Sequence, residues 1–281
     1  GLVLPVFLQV YIHGRSNLKT LILYLNSSSL EKAQNIENYY GLETTINGST
    51  LYKRGINQAL QLGTTLKNEE VLQIKISDNI FLVQTINFEY KAKSIILATG
   101  APKNKPNIKN LDYFEGKGVS YCATCDGFFY KNKPIAVLGN SNYALSEIDE
   151  LNNITPNITL LTNGLPAPNI SNISINTKKI FKFNGTNFLE SIVFQDLSLL
   201  KIDALFIANG IASSFNFAKK LGIFYTNNNI SVNDNMETNI PGIFACGDCT
   251  GSLFQISKAV YEGTKAGLQV IKYINSRGDK L

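Results

Sequence analysis

Two cysteines separated by two residues stand near the middle of the chain, and an acidic residue follows them at once. Cys122 and Cys125 can close a small disulfide ring, and Asp126 can pass the proton that each thiol–disulfide step requires. A Cys-x-x-Cys pair alone is a weak signal, but this one continues into Asp-Gly-Phe-Phe shortly before a strand and a glycine turn. We therefore predict that Cys122, Cys125 and Asp126 are catalytic residues of a redox-active disulfide.

A second Cys-x-x-Cys pair, Cys246 and Cys249, leaves three explanations for the cysteines: a disulfide scaffold, a zinc site or redox chemistry. A chain of 281 residues can bury a core that needs no disulfide scaffold. The two pairs are also much farther apart than the roughly 15–20 residues of a ribbon-type zinc site. Redox chemistry in the cytoplasm is therefore favoured, and no metal site is predicted.

The composition is that of an ordinary globular protein, with 44% hydrophobic and 17% charged residues. The net charge of +5 comes without a basic cluster, which argues against a nucleic-acid partner. No apolar run reaches the roughly 18–20 residues of a membrane helix. The apolar stretch that begins at Gly1 lacks the features of a signal peptide, and we interpret this start as a truncation.

Helix and strand signals alternate in the first part of the chain as in a βαβ unit without its first strand. A segment rich in Pro, Asn and Lys follows as a domain boundary. In chain order we predict a helix over Pro5–Arg15, a buried strand over 18–25, an amphipathic helix over 53–66, an antiparallel meander over 72–76, 80–87 and 89–93, and a strand over 94–100.

The alternation starts again after this boundary and predicts a second βαβ-based unit. The fold class is therefore α/β, with two Rossmann-like units. The predicted elements of the remaining chain are a strand over 134–139, a helix over 142–151, strands over 158–162, 180–183, 192–195 and 204–208, a final strand over 242–246 and a closing helix over 258–275.

With these residues placed, the chain resembles the low-molecular-weight thioredoxin reductases, a family of two-domain flavoproteins. The resemblance rests on Ile36–Gly41, Ala98–Ala101, Cys122–Phe129 and Met236–Gly251. In that family the FAD-binding domain is interrupted by an inserted nucleotide-binding domain. The resemblance thus implies an FAD-binding domain over 1–110 and 234–281, and an NADPH-binding-like domain over 111–233 that carries the redox cysteines.

The resemblance also implies roles for individual residues. Cys125 would face the reduced flavin, Cys122 would attack the disulfide of a thioredoxin-type partner, and Asp126 would act as general acid/base. One disulfide cannot contact flavin and partner together, so the resemblance implies a rotation between the domains. The implied cofactor contacts are Asn38, Thr99, Gly100, Gly247, Asp248, Gln255 and Ala259.

In the family the Gly-Asp pair at a strand end approaches the flavin, since glycine lets the backbone come close and aspartate accepts hydrogen bonds from hydroxyls. Here Cys246 and Cys249 flank that pair. We interpret these two cysteines as structural, with a second redox pair as the alternative. His13, the one histidine, is interpreted as a solvated helix residue.

The chain departs from the family in both nucleotide-binding loops. Gly1–Pro5 stands where the family has the glycine-rich loop that holds the flavin pyrophosphate, so either the sequence is a fragment or flavin binding is weakened. In the second unit the family's Gly-x-Gly-x-x-Ala loop reads Gly139, Ser141 and Ala144, with serine in place of the second glycine.

The second unit also contains no arginine, whereas the family reads the 2′-phosphate of NADPH with arginines after the next strand. Lys178, Lys179 and Lys182 could supply charge but not the planar two-pronged contact of arginine. NADPH as electron donor is therefore in doubt. The same combination resembles a clostridial-type branch whose members keep the flavin and the cysteine pair and receive electrons from ferredoxin.

We therefore expect a flavin-dependent, thioredoxin reductase-like oxidoreductase with FAD as cofactor and either NADPH or reduced ferredoxin as donor. Its partners would be a thioredoxin-like protein, ferredoxin and, as in the family, a second copy of the chain. One alternative is a catalytically degenerate relative, either a non-enzymatic binding protein or the truncated product of a pseudogene. A zinc protein that uses all four cysteines is a further alternative.

Overall fold

The computed structural model describes residues 18–25, 29–101, 106–171, 173–251 and 253–277. The helix predicted over Pro5–Arg15, His13 within it and the departure at Gly1–Pro5 lie outside these residues. The described residues form two compact units. The first unit consists of the residues up to 101 and from Ser213 onward, and the second unit consists of residues 106–212.

The elements alternate between strands and helices along much of the chain. The strands are β1 (Leu21–Tyr24), β2 (Thr65–Asn68), β3 (Val71–Ser77), β4 (Ile80–Thr85), β5 (Glu89–Ala92), β6 (Ile95–Leu97), β7 (Val119–Ser120), β8 (Ile135–Leu138), β9 (Ile158–Leu161), β10 (Ser174–Asn176), β11 (Ile180–Asn184), β12 (Ser191–Phe194), β13 (Leu199–Lys201), β14 (Ala204–Ile207), β15 (Tyr225–Thr226), β16 (Asn229–Ile230) and β17 (Ile243–Ala245).

The α-helices are α1 (Gly48–Gln61), α2 (Leu111–Phe114), α3 (Ala123–Asp126), α4 (Asn142–Asn152), α5 (Ser214–Leu221) and α6 (Ile256–Ser276). Short 3₁₀ helices cover Ser29–Lys32, Gly127–Tyr130 and Gly247–Thr250. Among the described helices, none is both long and apolar enough to cross a membrane.

Three small sheets contain β1 to β6 and β17 of the first unit, and the pair β6–β17 leads into the predicted site. β1 pairs with β2 in parallel, and β6 pairs with β17 in parallel. β3, β4 and β5 form the predicted antiparallel meander, in which Ile74 lies opposite Val83. The side chains of Leu72, Ile74, Phe81 and Val83 are buried, as expected for strands that turn one face to a core.

Helix α1 begins and ends five residues before the predicted bounds of 53–66. Asn47 caps it, because its side-chain oxygen accepts a hydrogen bond from Thr50 N at 2.8 Å. Gly63 then adopts a φ of +79°, which turns the chain into β2. The last predicted helical residues, Thr65 and Leu66, therefore lie in a strand.

The second unit is built on a five-stranded parallel sheet in the order β10, β9, β8, β14, β7. All four residues of β8 are buried, which explains its continuous apolar sequence. Helix α4 packs against β8 and β9, and the separate antiparallel sheet β11–β12–β13 completes the unit. The predicted fold class, α/β with one unit inserted in the other, is confirmed.

The second unit ends at Ala212, earlier than the predicted domain end at residue 233. Helix α5 belongs to the first unit because it packs against β3 and because Ser214 N donates to Thr99 Oγ1 at 3.2 Å. Ser213 and Asn216 form a reciprocal cap at its start. The first unit is described up to residue 101 and the second from residue 106, whereas the sequence predicts a boundary at 110/111. The assignment of the units to FAD and NADPH stays a prediction.

Gly139, at the end of β8, has no room for a side chain. A Cβ there would lie 2.4 Å from Ala208 O and 2.8 Å from the Ala144 Cβ. Gly139→Ala should therefore lower the free energy of unfolding by about 1–3 kcal/mol, as overpacking in a core does. Urea denaturation followed by circular dichroism measures this loss.

Gly222→Asn is the matched control for this change. Gly222 has a φ of +69° and nothing within 4 Å of an added Cβ, and asparagine tolerates that backbone conformation. We expect it to cost about 1 kcal/mol or less. If the free energy of unfolding falls equally in Gly139→Ala and Gly222→Asn, the packing role of Gly139 is contradicted.

Candidate functional site

The redox cysteines lie on a short turn that follows β7, and we call Cys122–Asp126 the redox turn. Cys122 and Cys125 are joined in a disulfide, with their Cα atoms 5.3 Å apart. Cys122 occupies the N-cap of α3, and its Sγ accepts a hydrogen bond from Cys125 N at 3.1 Å. Cys-x-x-Cys spacing thus places both sulfurs within one helical turn.

The two sulfurs differ in access. Cys122 is 1% exposed, whereas Cys125 is an exposed residue. A group from outside therefore reaches the disulfide at Cys125. The roles expected for the two cysteines toward flavin and partner stay predictions, and the burial of Cys122 does not favour its expected attack on the partner.

Asp126 is held to the redox turn by Ser120, a residue that the sequence did not single out. Ser120 Oγ donates to Asp126 Oδ2 at 2.6 Å and accepts from Cys122 N at 3.1 Å. One hydroxyl thus links the predicted acid/base to the backbone of the redox pair. Burial, with Asp126 and Asp203 nearby, raises the pKa of Tyr130 just beyond the turn.

Two glutamates of α4 bind the redox turn from below. Glu147 Oε2 accepts a hydrogen bond from Ala123 N at 3.0 Å, and Glu150 Oε2 accepts one from Thr124 Oγ1 at 2.6 Å. The two glutamates are three residues apart, which places them on the same face of the helix. Glu147 is buried, being 1% exposed. The sequence predicts this helix but not its contact with the cysteines.

The predicted degenerate loop follows β8 and opens α4. Ser141 is the N-cap residue of α4, and its hydroxyl donates to Gly210 O. Gly139 and Ala144 are in close contact, so both serve packing at this turn. The side chain that replaces the family's second glycine is thus hydrogen-bonded to the protein.

Two lysines near the end of β9, Lys178 and Lys179, contact other residues of the second unit. Lys178 Nζ lies 2.7 Å from Asp196 Oδ2 and donates to Ser198 Oγ at 2.9 Å. The stem of Lys179 lies over Gly164, with its Cγ 2.7 Å from where a Cβ would stand. Neither lysine presents the free, planar group with which arginine binds a phosphate.

The predicted flavin contacts of the first unit lie at one sheet edge. β6 and β17 run parallel, so Thr99 and Gly100 leave the same edge of the sheet as Gly247 and Asp248, which follow β17. Gly100 and Gly247 have φ values of +82° and +79°, which glycine adopts without strain. Carboxyl ends of parallel strands are the usual place for a nucleotide ligand.

Two further predicted contacts, Asn38 and Gln255, touch each other although they are distant in sequence. Asn38 Nδ2 donates to Gln255 Oε1 at 3.1 Å. Gln255 is the N-cap residue of α6, and its carbonyl accepts from Ala259 N at 3.1 Å. The structure therefore brings Asn38, Gln255 and Ala259 to the start of one helix.

Lys258 and Glu262 hold the Gly247–Thr250 turn, and sequence reasoning missed the role of both. Lys258 Nζ donates to Gly247 O at 2.9 Å and to Gly251 O at 2.7 Å, and lies 3.2 Å from Glu262 Oε2. Glu262 Oε2 accepts from Gly247 N at 2.8 Å. Their spacing of four residues is the one sequence signal of this mostly buried pair.

Asp248 lies in this turn with a half-buried carboxylate. Burial raises its pKa, the positive charge of Lys258 opposes this shift, and Glu262 adds to it. No described residue donates a hydrogen bond to the carboxylate. Such a group suits a ligand that brings hydroxyl donors, as the ribityl chain of a flavin does.

Cys246 and Cys249 are free thiols with no access to solvent. Cys249 Sγ donates to Leu97 O and to Cys246 O, each at 3.3 Å. Burial raises the pKa of Cys249 to about 12. This geometry favours the structural interpretation of the second pair.

The zinc alternative needs four thiolates, but two of the four sulfurs are joined to each other. In the part of the chain that the structure describes, no cluster of three or more metal-ligating residues occurs.

In the folded, oxidised protein no cysteine thiol should react with Ellman's reagent at pH 8. Cys249 stays protonated below a pH of about 12, and both free cysteines are buried. Denaturation in guanidinium should expose two thiols, and one in the Cys249→Ser variant. If two thiols of the folded protein react rapidly with the reagent, the structural role of Cys246 and Cys249 is contradicted.

Known proteins resemble the chain over most of its length. The model of the pyridine nucleotide-disulphide oxidoreductase family matches residues 21–166 and 169–263. The thioredoxin reductase of Ureaplasma parvum is 32% identical, over 92% of this chain and 90% of that protein.

Two solved structures are similar in fold. The atypical thioredoxin reductase TRi of Desulfovibrio vulgaris Hildenborough is 36% identical with a TM-score of 0.93, over 97% of this chain and 95% of that one. A ferredoxin-flavin thioredoxin reductase of Clostridium acetobutylicum is 28% identical with a TM-score of 0.72, over the same shares. The chain belongs to the pyridine nucleotide-disulphide oxidoreductase family, within its group of thioredoxin reductases.

Proposed function

We propose that this chain is a flavin-dependent thioredoxin-disulfide reductase. It passes two electrons from reduced FAD through the Cys122–Cys125 disulfide to a thioredoxin-type protein. The observation that carries the proposal is this disulfide, with Cys125 exposed beside Asp126 in a chain of the thioredoxin reductase group. The alternative of a non-enzymatic relative or pseudogene product has no comparable support.

The different exposure of Cys122 and Cys125 suggests the order of the exchange steps. In the reduced enzyme the Cys125 thiolate attacks one sulfur of the partner's disulfide, and the other partner sulfur leaves and takes a proton from Asp126. The Cys122 thiolate then attacks Cys125 in the mixed disulfide and releases the second partner sulfur, which takes a proton from solvent. The partner gains two electrons and two protons, and the Cys122–Cys125 disulfide forms again.

FAD, when bound, supplies the electron pair for this disulfide. The half-buried Asp248 carboxylate, to which no residue in the described part of the chain donates a hydrogen bond, and the positive φ of Gly100 and Gly247 fit such a ligand. Lys258 and Glu262 position the turn. The residues that we propose to hold FAD are Asn38, Thr99, Gly100, Gly247, Asp248, Gln255 and Ala259.

We propose that the electron donor is a ferredoxin-type protein and that NADPH is not used. The hydroxyl of Ser141 is bonded to Gly210 O, and Lys178 is paired with Asp196, so the degenerate loop offers no prepared phosphate site. The Clostridium acetobutylicum relative carries ferredoxin in its name, which supports the same donor class.

Two exposed aromatic residues suit contact with the thioredoxin-type partner. Phe128 and Phe129 follow the redox turn and are 74% and 70% exposed. Large apolar side chains beside a reactive group serve protein recognition, and aromatic residues are enriched at such contacts.

We further propose a homodimer in the cytoplasm. Tyr261 and Leu268 are exposed on α6 and lie seven residues apart, on one face of the helix. The buried free thiols of Cys246 and Cys249 suit a reducing compartment. Sedimentation velocity on wild type and Leu268→Glu checks the dimer, and a monomeric wild type would exclude it.

Anaerobic mixing experiments test the function. Reduced ferredoxin should bleach the flavin absorbance and support thioredoxin reduction, whereas NADPH should do neither. Cys125→Ser should lose more than about 99% of thioredoxin reduction, because a serine hydroxyl cannot form the mixed disulfide, but should keep flavin bleaching.

Flavin bleaching by NADPH would overturn the donor alone. Thioredoxin reduction by Cys125→Ser at the wild-type rate would overturn the role of the disulfide, and no thioredoxin reduction by the wild-type protein with either donor would overturn the reductase function.

Lys258→Met should raise the Kd for FAD at least about tenfold, or about 1.4 kcal/mol. The change leaves Glu262 without the cation that faces it at 3.2 Å and frees the carbonyls of Gly247 and Gly251. Fluorescence titration of the apoprotein with FAD measures the effect. Lys265→Met is the control, since Lys265 lies on the same helix and donates to Tyr261 on its exposed side. A folded Lys258→Met protein with unchanged FAD affinity would exclude the positioning role.

A further inference from the structure

The backbone around Cys122 is fixed by two buried side chains that the disulfide chemistry does not itself use. Cys122 N donates to Ser120 Oγ at 3.1 Å, and Ala123 N donates to Glu147 Oε2 at 3.0 Å. Ser120 is 6% exposed and Glu147 is 1% exposed. Two successive amides are therefore tied to groups inside the second unit.

These bonds matter because α3 has only four residues. The first amides of a helix lack partners within it, so a turn this short depends on side chains from elsewhere. In the oxidised protein Cys122 Sγ accepts from Cys125 N, and the covalent bond adds a second link. Reduction removes the covalent link, whereas the bond from Ala123 N to Glu147 does not depend on it.

Glu147 is well placed to act as such an anchor. It lies on α4, whose side chains Ala144, Ile148 and Leu151 are buried in the core of the second unit. The neighbouring Glu150 differs, because it accepts a hydrogen bond from the side-chain hydroxyl of Thr124, on the exposed side of the turn, where Glu147 accepts one from a backbone amide.

We propose that Glu147 is a positioning residue that keeps Cys122 buried after the disulfide has been reduced. It acts through the Ala123 amide, next to Cys122. Exchange with a partner then takes place at Cys125, and Cys122 is kept for the second step, in which it attacks Cys125 and releases the partner. The inference rests on the proposed disulfide exchange.

Timed alkylation of the reduced, FAD-containing protein with iodoacetamide tests this inference. Peptide mass spectrometry gives a separate rate for each cysteine. Glu147→Met keeps the volume of the side chain but removes the acceptor, and we expect Cys122 to react about tenfold faster than in wild type, as for the loss of one hydrogen bond. Glu147→Gln keeps an acceptor oxygen and should restore the wild-type rate.

Glu150→Met is the matched control on the same helix face and should leave the Cys122 rate within about twofold of wild type. Three results would overturn the inference: Cys122 as reactive in wild type as in Glu147→Met, an equal rise in Glu150→Met, or a rise in Glu147→Gln. If Glu147→Met does not fold by circular dichroism, the Gln variant decides, since fast alkylation of Cys122 there contradicts the hydrogen-bond account and wild-type protection supports it.

Alkylation needs no thioredoxin, so its outcome is separate from the test of the reductase function. If the wild-type chain does not reduce thioredoxin but Cys122 is still protected from alkylation, the proposed function fails and the positioning role of Glu147 stands. If the wild-type chain reduces thioredoxin but Cys122 is alkylated as fast in wild type as in Glu147→Met, the positioning role fails and the proposed function stands.

Discussion

The parallel pairing of β6 with β17 is the constraint on which the first unit depends. Ser94 Oγ donates to Gly242 O, 148 residues later in the chain, and Cys246 N donates to Leu97 O at 3.0 Å. All of the second unit lies between these strands in sequence, so it must be an insertion that leaves and re-enters one sheet. The same pairing brings the segments that carry Gly100 and Gly247 to one edge of the sheet. The cofactor edge therefore exists only when both parts of the first unit have folded together.

The redox turn meets two opposing demands, since its disulfide must be reachable and its geometry must survive repeated opening. The two cysteines differ in this respect: one residue is exposed and the other is buried. Cys125 stands on the open side, next to Phe128 and Phe129, whereas Cys122 is enclosed by Ser120 and the helix that carries Glu147. The four-residue helix α3 is therefore held in place by α4, which packs against the parallel strands β8 and β9.

The sequence predicted those parts of the molecule that repeat a local pattern. The alternating strands of the meander, the apolar β8 and the Cys-x-x-Cys spacing all follow from residues close in the chain. It missed the cap at Asn47, because polar residues are common there, and it did not predict helix α5, whose place depends on the bond from Ser214 to Thr99 between distant segments. The partners of Asp126 and of the Gly-Asp turn were missed likewise, since Ser120 and Glu262 become neighbours only after folding.

The packing of Gly139 bears on how glycine patterns are used to recognise nucleotide-binding proteins. This glycine is fixed by Ala144 and Ala208, which belong to the α4 helix start and the end of the β14 strand, and no phosphate is needed to explain it. The packing alone would retain such a glycine in a chain that binds no nucleotide. A pattern search that counts this glycine as a sign of NADPH binding therefore detects the architecture of the sheet.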